Sequence, residues 1–181
     1  MVGLLVSCAL LGLAGALNVD VEHPIVFSDP TRQLESYFGF TVSLLKDPGF
    51  NADAWLVIGA PKANSSHYAH STINEPGVVY LCKLERNSEC QQLTLDDTGN
   101  VRVSGATHDY SYTDKKDHAW IGGALAVQGS GNGRFVACGP RWKNQYYQGH
   151  YLMNGVCYWL PGPKDIHQNA GKLLPLVRRG N

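Results

Sequence analysis

The chain has 181 residues, 44% of them hydrophobic, and carries 15 acidic and 15 basic side chains, so its formal net charge is zero. This length and apolar content are sufficient to bury a core. Because the chain lacks the basic excess that attracts nucleic acid or an anionic membrane surface, we expect neither as a partner.

The N-terminal segment has the pattern of a secretory signal peptide. Residues 2–17 contain no charged side chain, and this apolar run is short for a transmembrane helix but typical of a signal core. The sequence Ala14-Gly15-Ala16 offers the small residues of a cleavage site. We therefore expect residues 1–16, including Cys8, to be removed, which leaves an N-terminal segment over residues 17–35.

The next part of the chain predicts short β-strands. One run of β-branched and aromatic residues begins at Phe38-Gly39, a second ends at Gly59-Ala60-Pro61, and a third begins at Gly77. A glycine at the start of a strand indicates close approach of another backbone or a bulky ring. Proline cannot donate to a β-ladder, so Pro61 is expected to end the second strand. We predict a small antiparallel meander within residues 36–105.

The same blocks return in the same order in the second half. Gly122, the Gly139-Pro140 pair and Gly155 follow their counterparts by 83, 79 and 78 residues. Self-similarity in a fixed order is typical of a repeat architecture, so residues 106–181 are predicted to hold a second copy with an unassigned C-terminal tail.

Four cysteines remain after removal of the predicted signal: Cys82, Cys90, Cys138 and Cys157. An even number in a secreted chain indicates disulfides, of which three pairings are formally possible. Pairing within each copy needs the least rearrangement, because both pairs lie on neighbouring predicted strands. No Cys-x-x-Cys motif supports a zinc site.

Asn64-Ser65-Ser66 forms an Asn-x-Ser/Thr sequon in the loop after Pro61. In a secreted chain this sequence predicts an N-linked glycan on Asn64 that projects into solvent.

The remaining motifs predict turns and loops, and we expect neither a catalytic nor a metal site. His67 and His70 lie in a polar segment without a carboxylate motif, which favours a solvated loop. Residues 129–133 precede a strand and have hairpin-turn chemistry rather than a phosphate-binding pattern. Residues 96–100 lack the alternating oxygen ligands of a calcium loop and predict a turn. The polar residues 107–116 predict a surface loop between the copies.

Taken together, these motifs resemble the FG-GAP repeats that open the extracellular part of integrin α subunits, in an invertebrate-like form. The resemblance covers about residues 17–160 and is strongest at residues 37–40, 56–64 and 136–142. It implies an all-β fold, a partial β-propeller in which two four-stranded blades of an expected seven are present. It also implies disulfides Cys82–Cys90 and Cys138–Cys157, and an N-terminal strand at residues 24–27 that joins the last blade. Calcium is expected only in later blades, so no cofactor is expected in this segment.

The function that the resemblance implies is cell adhesion rather than catalysis. An integrin α subunit pairs with an integrin β subunit, binds extracellular-matrix ligands and supports signalling at the extracellular face of the plasma membrane. Membrane attachment would come only through a C-terminal part that these residues do not include. Residues 59–64 look like subunits that bind Arg-Gly-Asp peptides, whereas residues 128–134 look like the laminin-binding group. Candidate contributors to the ligand surface are Trp120, Trp142, Tyr146, Tyr147 and Tyr151. The alternative is that these aromatic residues pack in the blade core or under loops, and for Trp120 core packing is an equal expectation.

Two other interpretations stay open. The chain resembles in part the propellers of secreted enzymes such as the phospholipase D that cleaves glycolipid anchors, although no clustered metal ligands are present to support catalysis. A soluble, secreted FG-GAP fragment is the other alternative. In either case two isolated blades are expected to have unpaired sheet edges and exposed apolar faces.

Overall fold

The computed structural model describes residues 22–46, 54–104, 110–128, 133–147, 150–162 and 170–176. Within these ranges the protein is all-β and contains no α-helix. In chain order the strands are β1 (Thr41–Lys46), β2 (Ala54–Ala60), β3 (Val78–Lys83), β4 (Cys90–Gln92), β5 (Val101–Ser104), β6 (Tyr110–Asp114), β7 (Ala124–Val127), β8 (Phe135–Gly139), β9 (Asn144–Tyr147), β10 (His150–Leu152), β11 (Val156–Leu160) and β12 (Gly171–Leu173).

Two four-stranded antiparallel sheets form the body of the protein. The first has the order β1-β2-β3-β4, and the second has the order β7-β8-β11-β12. Pro61 and Pro140 directly follow the last residues of β2 and β8, as predicted. The two sheets do not close into a barrel, and the arrangement agrees with the predicted partial β-propeller. The predicted signal peptide, residues 1–16, lies outside the described residues.

The main core lies between the two sheets. The first sheet contributes Leu45, Val57 and Val79, and the second contributes Phe135 and Tyr158 to the same cluster. Full burial of each such aliphatic or aromatic side chain stabilises the fold by about 1.5–3 kcal/mol. This shared core makes the two repeats one folded unit.

The outer faces of the two sheets are only partly covered. On the first sheet, Phe27 and Phe38 of the N-terminal segment pack over part of a second apolar cluster, while Val42 stays exposed. On the second sheet, Trp159 and Leu173 are exposed. In a propeller such faces pack against the neighbouring blades, and here they are the apolar surfaces expected of two blades alone. Residues 24–27 are not in a strand.

The repeat glycines meet where the two sheets touch. The Thr41 hydroxyl donates to the carbonyl oxygen of Gly122 at 2.6 Å, and a Cβ built on Gly122 would lie 3.0 Å from the Cα of Gly59. The contact between Gly122 and Gly59 therefore confirms the prediction that another part of the backbone lies close to a glycine at the start of a strand. The same prediction was wrong for Gly39, where no atom lies within 4 Å of the position of a Cβ, but its φ of 87° favours glycine.

Two hairpins lie outside the two sheets: β5–β6 in the connection between the first and second sheets, and β9–β10 in the connection between β8 and β11. An isolated bridge between Lys115 and Lys143 joins them. The surface loop predicted over residues 107–116 is therefore wrong for its second half, because β6 occupies Tyr110–Asp114 and both Asp114 and Lys116 are buried. Residues 107–109 of that segment, and residues 129–132 of the predicted turn, lie outside the described residues.

Candidate functional site

Three aromatic side chains from the two repeats form a cluster on the surface, here named the aromatic cluster. The rings of Tyr37 and Phe40 are stacked with centroids 6.3 Å apart. The Trp120 ring stands edge-on to both, at 6.5 Å from Tyr37 and 5.8 Å from Phe40. Offset and edge-to-face pairs of this kind are each worth about 0.5–1.5 kcal/mol beyond their buried area. The rings therefore hold one another in place.

Tyr37 and Trp120 occupy equivalent positions in the two copies. They are 83 residues apart, the same shift that relates Gly39 to Gly122. Each has a positive φ, 57° for Tyr37 and 60° for Trp120, which is uncommon for a bulky residue and costs on the order of 1–3 kcal/mol. Tight turns hold this backbone, since Phe40 N–H donates to the Tyr37 carbonyl and Gly123 N–H to the Trp120 carbonyl.

The aromatic cluster is open to solvent and flanked by two cations. Tyr37 is 47% exposed and Phe40 is 52% exposed, while Trp120 is half-buried. The Lys62 ammonium lies 5.0 Å from the centre of the Tyr37 ring, and the Arg141 guanidinium lies 5.2 Å from that of Trp120. Exposed aromatic residues beside arginine are typical of the centre of a protein interface.

The other aromatic residues suggested by the sequence have different surroundings. Trp142 is buried, and its indole N–H donates to the Asp114 carboxylate at 2.5 Å, so for this residue the core-packing alternative is correct and the surface role is wrong. An indole in a tight core needs such an acceptor. Tyr151 is exposed on β10. The side chains of Tyr146 and Tyr147 lie outside the described part of the structure.

A largely buried ion network consists of Asp96, Asp114 at the end of β6, Lys116, and Lys172 on β12. The Lys116 ammonium, which is 0% exposed, donates to Asp114 at 2.9 Å and lies 3.5 Å from Asp96. Lys172 contacts Asp96 at 3.0 Å and also pairs with Asp114. The Tyr158 hydroxyl donates to Asp96 at 2.8 Å. Two carboxylates and two ammonium groups thus compensate one another.

The pKa of Asp96 shows the strength of this compensation. Burial alone would raise it, but the hydrogen bonds from Thr98 and the charges of Lys116 and Lys172 hold the pKa of Asp96 well below its usual range. The prediction of a turn over residues 96–100 therefore did not include the main role of its first residue, since the Asp96 carboxylate is a buried ion-pair partner. Burial, followed by the Asp96 and Asp114 charges, raises the pKa of Tyr158 well above its usual value.

The solvated loop predicted for the two histidines is wrong for His70, which is buried, whereas His67 is partly exposed. A 3₁₀ turn runs over Tyr68–His70, and the buried His70 ring contacts Ser65 Oγ at 3.0 Å and the Thr98 carbonyl at 3.1 Å. Burial, and then the Lys116 charge, lower the pKa of His70. Within the described ranges, no group of three or more histidine, cysteine or acidic residues is placed to hold a metal ion.

The disulfides lie within the sheets. Cys82 and Cys90 are cross-strand partners on β3 and β4 and are bonded to each other. Cys138 and Cys157 are bonded across β8 and β11. Each bond constrains the unfolded chain and is worth on the order of 2–4 kcal/mol.

Asn64 lies exposed in the β2–β3 connection, and its Oδ1 accepts the Glu75 N–H at 2.8 Å. A glycan attached to Nδ2 leaves that oxygen in place. We predict that the secreted chain carries a glycan here, and that both Asn64→Gln and Ser66→Ala remove the mobility shift produced by a glycan-cleaving amidase. A shift that persists in both variants would contradict the prediction, and Ser65→Ala is the control that keeps the sequon.

Comparison with known proteins relates the chain to one receptor family. No family model matches the chain. Over 163 residues it is 32% identical to integrin alpha-4 of Xenopus laevis, covering 88% of this chain and 14% of that protein. It is 34% identical to integrin alpha-V of Gallus gallus over 90% of this chain and 14% of the relative. It is 31% identical to integrin alpha-PS3 of Drosophila melanogaster over 78% of this chain and 12% of the relative.

These relatives are several times longer, since the chain spans only 12–14% of their length. The described residues contain no helix with the length and apolar character needed to cross a membrane. The matches extend across both repeats and agree with the two-blade fold, and over this shared region the chain belongs to the integrin α family.

Proposed function

We propose that this chain acts as the N-terminal part of an integrin α subunit, which pairs with an integrin β subunit and takes part in binding an extracellular-matrix ligand and in the signalling that follows. The observation that carries this proposal is the aromatic cluster. Its large rings are held in fixed positions by one another and are exposed to solvent, although the packing of the fold does not require their exposure.

The position of the aromatic cluster supports a role in pairing. Tyr37 and Phe40 directly precede β1, and Trp120 precedes β7. These are the first strands of the two sheets, and they lie next to each other through the Thr41–Gly122 hydrogen bond. In a propeller the first strands surround the central axis. The aromatic cluster then lies near the axis, where one partner subunit reaches rings from more than one blade.

The energetics of the aromatic cluster also favour a protein partner. Rings locked by each other and by tight turns lose little conformational entropy when a partner covers them. The positive φ values of Tyr37 and Trp120 are strain that the fold retains, which is typical of functional sites. Residues of this kind, near the centre of an interface, commonly cost 2 kcal/mol or more when truncated.

Pairing is tested by co-expression with an integrin β subunit and capture through the β subunit. We expect the double variant Tyr37→Ala/Trp120→Ala to reduce the captured α chain by about tenfold or more, since a loss of 1.4 kcal/mol already gives that factor. Tyr68→Ala is the matched control, because Tyr68 is exposed but lies outside the aromatic cluster.

Equal capture of the double variant and the wild type, with both folded, would overturn the proposed pairing surface. Far-UV circular dichroism and non-reducing electrophoresis report folding and disulfide formation. Secretion of a stable chain that no β subunit captures would favour the soluble-fragment alternative instead.

Location and ligand class follow from the same proposal. The chain would act at the extracellular face of the plasma membrane within the α–β complex, and its disulfides suit that oxidising environment. Calcium binding in further blades stays a prediction. The choice between Arg-Gly-Asp and laminin-type ligands stays open.

A further inference from the structure

A second group of aromatic and basic side chains crosses the two hairpins and shares no residue with the aromatic cluster. It consists of Arg102 on β5, Tyr112 on β6, Lys115 just after β6, and Tyr151 on β10, and is here named the cationic strip. We propose that the cationic strip binds a sulfated polysaccharide of the extracellular matrix or cell surface, in addition to any protein ligand.

The strip is continuous across the hairpins. Arg102 and Tyr112 are direct cross-strand partners, and the guanidinium lies 4.9 Å from the centre of the ring. Tyr112 N–H donates to the Gln145 side chain at 3.1 Å, and Gln145 is the cross-strand partner of Tyr151. The strip therefore runs across β5, β6, β9 and β10 in that order.

Lys115 connects the two rings. Its ammonium lies 4.8 Å from the centre of the Tyr112 ring and 5.0 Å from the centre of the Tyr151 ring. Contact with a ring orients a cation without cancelling its charge. Arg102 and Lys115 thus both contact the Tyr112 ring, which fixes the positions of their positive charges. Their N–H groups remain able to donate to an anion.

The charge of this surface is not neutralised within the described part of the chain. Arg102, Lys115 and the adjacent Lys143 form no ion pair there, whereas Lys116, the next residue after Lys115, is fully paired with buried carboxylates. Unpaired cations held side by side repel each other, and an anionic ligand relieves this repulsion. The strip is complementary to a ligand of high negative charge density.

The direction of the strip favours a polysaccharide over an acidic peptide. A peptide that binds a sheet by main-chain hydrogen bonds runs along an edge strand, here β5 or β10, and meets only one end of the strip. A ligand that follows the strip runs across the strands, where no free main-chain groups are presented to it. It must carry its own repeated anionic groups, as a sulfated sugar chain does, and basic patches outside the cell are typical sites for such chains.

The test uses the full 181-residue chain and immobilised heparin as the probe, with binding measured over a series of NaCl concentrations. We expect the wild type to bind, with affinity that falls steeply with salt because the contacts are exposed and ionic. We expect Arg102→Gln/Lys115→Gln to raise the dissociation constant by about tenfold or more. We expect Tyr112→Leu/Tyr151→Leu to raise it as well, because without the rings the cations lose their fixed positions.

The matched control is Lys46→Gln/Arg86→Gln, which removes the same charge from exposed residues at the opposite end of the first sheet. We expect less than about a twofold effect from this control. Equal weakening by both charge variants would overturn the proposal, because net charge alone would then explain binding. Binding to polyglutamate as tight as to heparin would also overturn it, in favour of an acidic peptide.

Two further measurements test whether the chain binds heparin at all and whether it recognises the sulfate groups. Loss of binding to desulfated heparin supports recognition of sulfate, and undiminished binding to it overturns that recognition. Absence of heparin binding by a wild-type chain with native disulfides and β-type circular dichroism overturns the proposal outright. None of these measurements involves the β subunit, so their failure and the failure of the proposed pairing are distinguishable.

Discussion

Replacing Lys116 with methionine is expected to lower the free energy of unfolding by about 3–5 kcal/mol, because the change removes one partner from a buried charge network. Methionine has a similar length and keeps the apolar packing of the stem. The Asp114 carboxylate would keep Lys172 and Trp142 as partners, but the donors that Lys116 supplies to Thr98 and to the Gly99 carbonyl would be lost as well.

Urea unfolding of the full chain measures this loss, and Lys115→Met is the matched control. The two lysines are consecutive, but the Lys115 side chain is partly exposed and contacts only the rings of Tyr112 and Tyr151 among the described residues, so we expect a change of less than about 1 kcal/mol. Equal destabilisation by the two variants would mean that the burial of Lys116 has no energetic consequence.

The same network gives a prediction about pH. The pKa of Asp96 is depressed in the folded state, so its stabilising contribution is present above the carboxyl value of the unfolded chain, about 4, and is lost on further acidification. In the Lys116→Met variant this loss should be smaller, since one of the charges that depresses the pKa is gone. Unfolding curves between about pH 6 and pH 2 measure the difference, which is expected to develop below about pH 4.

Replacing Gly59 with alanine is expected to destabilise the chain by about 3 kcal/mol, at the upper end of the range for overpacking. The added methyl group would overlap the carbonyl oxygen of Gly122 and the hydroxyl of Thr41. Both belong to the contact between the two sheets, and one of them is backbone, so the sheets must separate to accommodate the change.

Gly39→Ala separates steric overlap from backbone strain. Gly39 has a φ of 87° but no atom near the position of a Cβ, so only the left-handed backbone is penalised, by about 1–2 kcal/mol. The urea midpoint should therefore fall more for Gly59→Ala than for Gly39→Ala. The reverse order would contradict the inferred contact between the repeats.

The sheets were predictable because their signals are local. Short apolar runs bounded by glycine and proline place the ends of β2 and β8, and two repeats in the same order predict two sheets of the same kind. The sequence also contains a signal that could have predicted the aromatic cluster. Tyr37 and Trp120 are related by the same 83-residue shift as the repeat glycines, which marks them as equivalent residues.

The buried charges could not be predicted in the same way. Asp114 and Lys116 lie in a polar stretch, and charged residues in such a stretch usually face solvent. Their burial depends on Asp96 and Lys172, which are 76 residues apart in sequence and meet only in the folded protein. The choice between a surface and a core position for Trp142 stayed open for the same reason, because its partner Asp114 lies 28 residues away.

The ion network also has a mechanical consequence. Lys172 lies on β12, the outermost strand of the second sheet, and it is tied to Asp96, which follows the last strand of the first sheet. A pull on the chain beyond β12 is therefore shared between the three-residue ladder of β12 and ion pairs anchored in the other blade. Tension that would otherwise peel one short edge strand is transmitted across both sheets, and the two blades yield together.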